Sequence, residues 1–371
     1  MIVIIGASSA GLFLAYLLAK EGLPVRVFEQ RDMLNLSSRT LIVTSKICDV
    51  LGFVPSEGII NKIEKVELFS PNKGAEVKLA SPDLVLERRE LIRLLARKAK
   101  QEGAEIKFGY KFLGFEEGQD GLIVELENLK NGKMQYSRTT TLIGADGASS
   151  RVAEVADMNS VNTVTILQAK VAVPPGTRKD AIKVWFNKEE TDFFYWLIPE
   201  SEGRAVLGLI SENPRKAKAG LSSFLDSLEF EVQSFQEGKT PLYDPHLEVS
   251  RKNSKADIFL VGDAAAQVKD STVGGVVAGL RGATALARAV AQEGKYEKEL
   301  IGLQRELGLH SRMRGILNRF SDSDYDHLLG LLNGRTKKVL GIHNRDELSK
   351  AFFKLIITQP KFLVFASRFL F

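Results

Sequence analysis

One cysteine, Cys48, in 371 residues excludes an intrachain disulfide and any cysteine-rich metal site. Histidine is almost as scarce: His246, His310, His327 and His343 lie too far apart in the chain to suggest a set of metal ligands, so no metal is expected. Charge of one sign is lacking too, since 51 basic residues stand against 46 acidic ones for a net charge of +5. No dense Lys/Arg run is interleaved with aromatics, and nucleic-acid binding has little support. The mild positive excess fits a mixed solvated surface, or attraction to an anionic lipid or cofactor. No apolar run reaches the ~18–20 residues needed to cross a bilayer. The opening Met1-Ile2-Val3-Ile4-Ile5 has no basic leader or cleavage motif and reads as a buried strand. The expectation is a cytoplasmic protein, at most peripheral to a membrane.

What is present is an ordinary globular balance, 44 % hydrophobic and 26 % charged, on a chain long enough for two domains or for one with an insertion. Residues 1–30 read strand, glycine turn, helix, strand, a βαβ opening. Short alternating stretches at 63–87, such as Val66-Glu67-Leu68-Phe69, predict inserted antiparallel strands. Leu91, Leu94, Leu95 and Ala99 predict a helix over 88–102, with Gly103 as its stop. Residues 105–143 alternate like a β-meander, and 160–250 is mostly strand-like around a helix at 214–229. Ile258-Phe259-Leu260-Val261 is a second buried strand ending in glycine, followed by a long helix to about 292, and the last 75 or so residues are helical and amphipathic. The expected fold is α/β (α+β): a Rossmann-like nucleotide domain from 1–62, 88–155 and 251–295, an inserted antiparallel-sheet substrate domain from 63–87 and 156–250, and a C-terminal helical region over 296–371.

The turn Gly6-Ala7-Ser8-Ser9-Ala10-Gly11 sits between a buried strand and a helix, where a dinucleotide-binding turn must sit. Gly6 permits the tight turn, Gly11 lets the helix pack on the sheet, and the helix N-terminus offers free N–H groups to a pyrophosphate. Ser8 replaces the usual middle glycine and can donate a hydrogen bond there. Glu29, at the end of the second strand, is a carboxylate at the distance expected for a ribose partner.

Two further motifs repeat the logic of a buried strand ending in glycine with an aspartate in the turn: Gly144-Ala145-Asp146-Gly147 and Gly262-Asp263-Ala264-Ala265. Asp263 would accept a hydrogen bond from a ribityl hydroxyl. Just beyond it, Gly274-Gly275-Val276 would set small residues and a helix N-terminus beside a flavin ring, where the helix end stabilises the negative charge of the reduced ring. Asp146 with Gly147 would hold the turn near the pyrophosphate. In this order the three motifs resemble those of the p-hydroxybenzoate hydroxylase-like flavoproteins, which implies FAD. That resemblance also places Arg88, at the head of a helix that continues through Leu91, Leu95, Ala99 and Gly103, and Arg39 near the cofactor.

Within that superfamily the stretch 262–276 resembles the geranylgeranyl reductases, although Val273 stands where a glycine is usual. Phe194-Tyr195-Trp196-Leu197-Ile198-Pro199 resembles their Tyr-x-Trp and Phe-Pro segment, with Phe194 in the place of the tyrosine. The resemblance implies hydride transfer from reduced flavin to C=C bonds of an isoprenoid lipid. Phe194 and Trp196 would form an apolar wall for the chain, and Cys48 would lie near the active site. The electron donor would be NAD(P)H or ferredoxin. Ala351 to Ile357 and Phe362 to Phe371, apolar with interspersed Lys and Arg, suit contact with a membrane surface or lipid substrate. Two other readings remain open. Trp196-Leu197-Ile198-Pro199 also resembles the halogenase Trp-x-Ile-Pro, which implies a monooxygenase or halogenase, and the substitutions at Ser8, Val273 and Phe194 leave room for a non-catalytic lipid-binding flavoprotein.

Overall fold

The computed structural model describes residues 1–32, 38–228, 230–252 and 255–367. Its first layer is a six-stranded sheet in the order Ser250–Lys252, Asp257–Leu260, Thr141–Gly144, Ile2–Ile5, Val25–Glu29, Glu105–Phe108. The last five run parallel and the first edge strand is antiparallel. The register pairs Ile5 with Gly144 and Gly144 with Leu260. The three glycine-ended strands are therefore neighbours whose C-terminal ends lie level, so motifs far apart in the chain meet at one edge. Ile2–Ile5 is buried throughout, as a central parallel strand covered on both faces must be. The helices Ser9–Lys20, Arg88–Gln101 and Val276–Ala291 pack beside one another against this sheet. Leu91, Ile92, Leu95 and Ala99 form the buried stripe of the second of these, and Glu87 caps its first turn by accepting from the Arg89 N–H.

An eight-stranded sheet forms the second layer, in the order Glu231–Pro241, Thr163–Ala172, Arg204–Ser211, Tyr195–Ser201, Ala181–Trp185, Ile59–Phe69, Gly74–Glu87, Thr40–Val43. It is antiparallel except where Ala181–Trp185 meets Ile59–Phe69. The period of two along Tyr195–Ser201 decides what each face does. Tyr195 and Leu197 pack under the helix Pro214–Leu228, while Trp196 and Ile198 belong to the opposite face, in one cluster with Val268 and Val273 from the nucleotide domain. A three-stranded meander, Tyr110–Gly118, Gly121–Asn128, Met134–Thr139, stands apart.

Two segments fall elsewhere than the sequence reading put them. Thr40–Val43 and the start of Ile59–Phe69, read as part of the nucleotide domain, pair into the large sheet, so the boundary at 62/63 runs through a strand. In the 105–143 stretch only the middle is a meander, because Glu105–Phe108 and Thr141–Gly144 are parallel strands of the first sheet.

Among the described residues the C-terminal region is five helices, Tyr296–Asn318, Asp322–Gly330, Gly334–Ile342, Leu348–Thr358 and Lys361–Ser367. Ser321 and Asp324 form a capping box at the second. The third lies on the Gly74–Glu87 strand, at a point where any side chain on Gly341 would overlap the Lys78 carbonyl. Glu306 of the first accepts from both the N–H and the hydroxyl of Ser349, which ties the tail back to the body. Residues 368–371, the end of the apolar C-terminal stretch, lie outside the described residues.

Candidate functional site

Between the two sheets lies a cavity of about 1540 Å³. Its nucleotide end is built by the three glycine turns. Gly6 has φ +103°, and a side chain there would come 2.7 Å from the Ala145 carbonyl carbon. A side chain on Gly11 would lie 2.8 Å from Ala145 Cβ, so the first helix can pack against the 144–147 turn only with glycine at both points. Ala10 carries the third contact, because a Cβ on Gly262 would come 2.9 Å from that of Ala10. The Ser8 hydroxyl accepts from the Gly11 N–H at 3.1 Å and caps the first helix, leaving its own proton to donate. Glu29 accepts from the Ala7 N–H at 2.8 Å and the Arg31 N–H at 2.9 Å, which fixes its carboxylate on the cavity wall.

Asp146 also works as a cap. Its carboxylate accepts from the Ser150 hydroxyl (2.6 Å) and from the N–H groups of Arg151 (2.8 Å) and Val152 (3.1 Å), locking the turn that ends with Gly147 at φ +93°. Burial pushes its carboxyl up, opposed by those hydrogen bonds. Asp263 sits in a short 3-10 turn at the cavity wall. Burial raises its carboxyl as well, and the guanidinium groups of Arg39 and Arg88 pull it back. Both arginines are lowered by burial, and Arg88 lowers Arg39 further. Glu87 holds the two together: it accepts from the Arg39 N–H and the Ser38 hydroxyl, while the Arg88 N–H donates to the Arg39 carbonyl.

Gly274 and Gly275 lead into the helix Val276–Ala291, whose first turn has no side-chain cap. Its N–H groups are therefore available to an anionic or polar ligand. A Cβ on Gly275 would sit 2.9 Å from Asp263 Oδ1, so the glycine lets the chain pass over the aspartate. Val273 adopts a left-handed conformation, at φ +51°. For a β-branched residue this is a strained backbone. The loop stays shut through Val273 N–H donating to Lys269 O at 2.7 Å, and below it buried Gln267 accepts from Gly262 N–H and donates to the Tyr296 hydroxyl, both at 2.8 Å.

The other end of the cavity is the inner face of the large sheet, where Phe194, Trp196, Ile198, Ile210 and Ile166 form an apolar wall. Trp196 faces Gly208 across the strand pair, and a Cβ there would overlap the indole ring, 2.7 Å from its Cε2, and lie 2.8 Å from Gln168 Cβ. The absent side chain is what makes room for the ring. Phe194 packs edge-on to Trp196 at 6.0 Å, and from it an aromatic row continues through Phe186, Tyr325 and Phe320 to Phe365 of the last helix.

The structure brings all the expected cofactor residues to this cavity or to the turns that shape it, and Phe194 and Trp196 to its apolar wall. Cys48 is not on the wall. It lies in the short helix Lys46–Leu51, packed against the nucleotide-domain core, and burial raises its thiol. A buried ionic group was not foreseen. Lys269 pairs with Asp346, which also accepts from Thr44, and Arg345 pairs with Asp83. Ser271 Oγ lies 2.5 Å from His310 Nδ1, and burial pushes His310 down to about 3, with Lys269 adding to the effect. Lys269 and Ser271 were legible as polar residues inside a glycine-rich loop, but Asp346 and His310 carry no motif.

The donor set fits FAD: three close-packed glycine turns, a carboxylate for a ribose, an uncapped helix N-terminus, and an aspartate flanked by two arginines. The family described as "FAD binding domain" matches residues 1–300. Curated relatives include digeranylgeranylglycerophospholipid reductase 1 of Methanothermobacter thermautotrophicus, 25 % identical with 88 % of this chain and 89 % of that one covered. The digeranylgeranylglycerophospholipid reductase of Methanococcus vannielii is 27 % identical over 74 % of this chain and 72 % of its own. Among solved structures, a geranylgeranyl bacteriochlorophyll reductase-like protein of Thermoplasma acidophilum superposes with a TM-score of 0.82 at 16 % identity, covering 100 % of this chain and 98 % of that one. A flavin-dependent brominase follows at 0.70 and 16 %, covering 97 % and 98 %. At these identities the solved structures speak for the fold.

Proposed function

The chain belongs to the FAD-binding-domain family, and from that premise we propose that it is an FAD-dependent reductase of C=C bonds in an isoprenoid lipid of the geranylgeranyl type. FAD is its cofactor, and when reduced it supplies hydride from N5. The observation that carries the substrate reading is the continuity of one cavity from the glycine turns to the wall of Trp196, Phe194 and Ile198. At about 1540 Å³ it exceeds the roughly 300–1,000 Å³ of a single small-molecule site. There is room for a dinucleotide and a second, apolar ligand. An isolated alkene offers no charge to grip, so the wall's work is to align the chain and keep water out.

The site residues follow the same reading. Gly6, Ser8, Ala10 and Gly11 with Asp146 and Gly147 would receive the pyrophosphate, Glu29 a ribose, Arg39, Arg88, Gly262 and Asp263 the ribityl chain and ring, and Gly274, Gly275 and Val276 the ring edge. Phe194 and Trp196 guide the lipid. Cys48, off the wall, is not assigned a part in proton delivery. Electrons come from a transient donor, NAD(P)H or ferredoxin, because a single glycine-turn nucleotide site is present among the described residues. Membrane contact is assigned to the two last helices. Among the described residues no helix is long and apolar enough to cross a membrane, but Phe353 (68 % exposed), Ile357 (65 %) and Val364 (68 %) stand out on them. Lys354 and Lys361 lie beside these side chains in the chain, a pattern suited to an interface of apolar tails and anionic headgroups.

The test is product analysis. The holoenzyme, kept reduced with dithionite, is incubated with a digeranylgeranyl glycerophospholipid and the lipid is weighed by mass spectrometry. Gain of two hydrogens per saturated bond is expected. Unchanged lipid, with an oxygen atom added to some substrate once air is admitted, would instead assign a monooxygenase.

A further inference from the structure

Lys269 is the one buried lysine among the described residues, with 6 % of its side chain exposed, and its partner Asp346 is buried further at 2 %. The lysine does not point away from the cofactor end. It lines the cavity, and its Nζ lies 3.6 Å from where a Cβ on Gly274 would stand, with its Cε at 3.3 Å. The loop 269–275 is wrapped around it: the N–H groups of Thr272 and Val273 both donate to the Lys269 carbonyl, and Lys269 and Gly274 form an isolated bridge. The ammonium group thus sits directly beneath the glycine pair that opens the uncapped helix Val276–Ala291. A second pair, half-buried Arg345 with buried Asp83, adjoins it, so the four charges sum to zero.

Taking such a pair out of water is costly, and a well-packed apolar pair of the same volume would hold the loop at least as well. Stability alone is therefore a poor reason for it. Its position supplies another. Two-electron reduction of the flavin takes up two electrons and one proton and leaves one added negative charge on the ring, so any fixed cation nearby favours the reduced form and any fixed anion the oxidised form. We propose that Lys269, held in place and partly offset by Asp346 from the C-terminal region, is an electrostatic positioning residue that sets the reduction potential of the bound FAD. The helical tail then contributes to the redox site itself. The inference rests on FAD binding and not on which lipid is reduced, so it stands or falls separately from the substrate reading.

The experiment is a charge cycle on the purified holoenzyme, with the midpoint potential measured by dithionite titration against a reference dye. Lys269→Met leaves the group with one negative charge in excess, and the potential should fall. Asp346→Asn leaves the lysine unpaired, and it should rise. Each shift should be at least tenfold in the balance of reduced over oxidised flavin, about 30 mV for a two-electron couple. The neutral double variant should return toward the wild-type value, and Lys269→Arg should retain it. A purely structural pair would move both single variants the same way or not at all. Single variants that lose FAD while the neutral double variant keeps it at the wild-type potential would also assign the pair to folding and overturn the proposal.

Discussion

Val273 occupies a backbone conformation with φ +51° that a β-branched residue normally avoids, in a loop where a glycine would sit without strain. In the middle of a helix or strand glycine is less stable than alanine by roughly 0.5–1 kcal/mol. Here the order should invert: Val273→Gly is expected to be more stable than Val273→Ala by about 1 kcal/mol, measured by urea unfolding of the holoenzyme. His310 gives a pH signature. Its folded value, about 3, lies below the roughly 6.5 of an unfolded histidine, because burial and then Lys269 disfavour its charged form. The unfolded chain therefore binds the proton first as pH falls. The stability His310 contributes is complete above about pH 6.5 and declines below it by up to about 1.4 kcal/mol per pH unit. His310→Asn should remove that slope from the melting temperature between pH 6.5 and 4.5, and an unchanged slope would show that other groups carry it. The residues singled out in the chain belong to short motifs: Gly6 and Gly11 to one turn, Asp146 to a second, and Asp263 with the nearby Gly275 to a third, although Gly6 and Gly11 are held to glycine by Ala145 of the second turn. Lys269 and Asp346 are 77 residues apart, and only the packing of the tail brings them together. Ser8 was legible as a polar replacement, but its service as a helix cap depended on where its hydroxyl turned.

Elements were legible where burial imposes a period. The helix Arg88–Gln101 and the strands Ile2–Ile5 and Asp257–Leu260 appear within a residue or two of their expected bounds. Pairing partners were less so. Thr40–Val43 is four residues long, and nothing in so short a strand says which sheet it will join. Glu105–Phe108 looks like the meander it precedes, and only its parallel pairing with Val25–Glu29 separates the two. The cross-strand pair of Trp196 and Gly208 makes an element-level prediction. Gly208→Ala puts a methyl group within 2.7 Å of the indole ring, and overpacking of this kind typically costs about 1–3 kcal/mol. The variant should bind FAD as before, shift the tryptophan fluorescence and lose most lipid turnover. Retention of full turnover would remove Trp196 from the substrate wall.

For the whole molecule, the tail supplies Asp346 to the buried pair with Lys269 and carries several exposed apolar side chains, Phe353, Ile357 and Val364 among them. Its helical character was readable from composition, but which faces it buries was not, since that depends on the sheet edge and aromatic row it meets. Replacing Phe353 and Ile357 by serine should leave the flavin spectrum and fold unchanged while markedly reducing cosedimentation with anionic phospholipid vesicles. Equal sedimentation of variant and wild type would locate any membrane contact elsewhere. The central claim, that FAD in this cavity passes hydride to an alkene, is tested most directly without oxygen. The holoenzyme is reduced with one equivalent of dithionite, mixed with a geranylgeranyl glycerophospholipid, and followed by flavin absorbance. The account predicts reoxidation in the absence of oxygen, with one double bond saturated for each flavin oxidised. A flavin that stays reduced beside the lipid and reoxidises only when oxygen is admitted would contradict it.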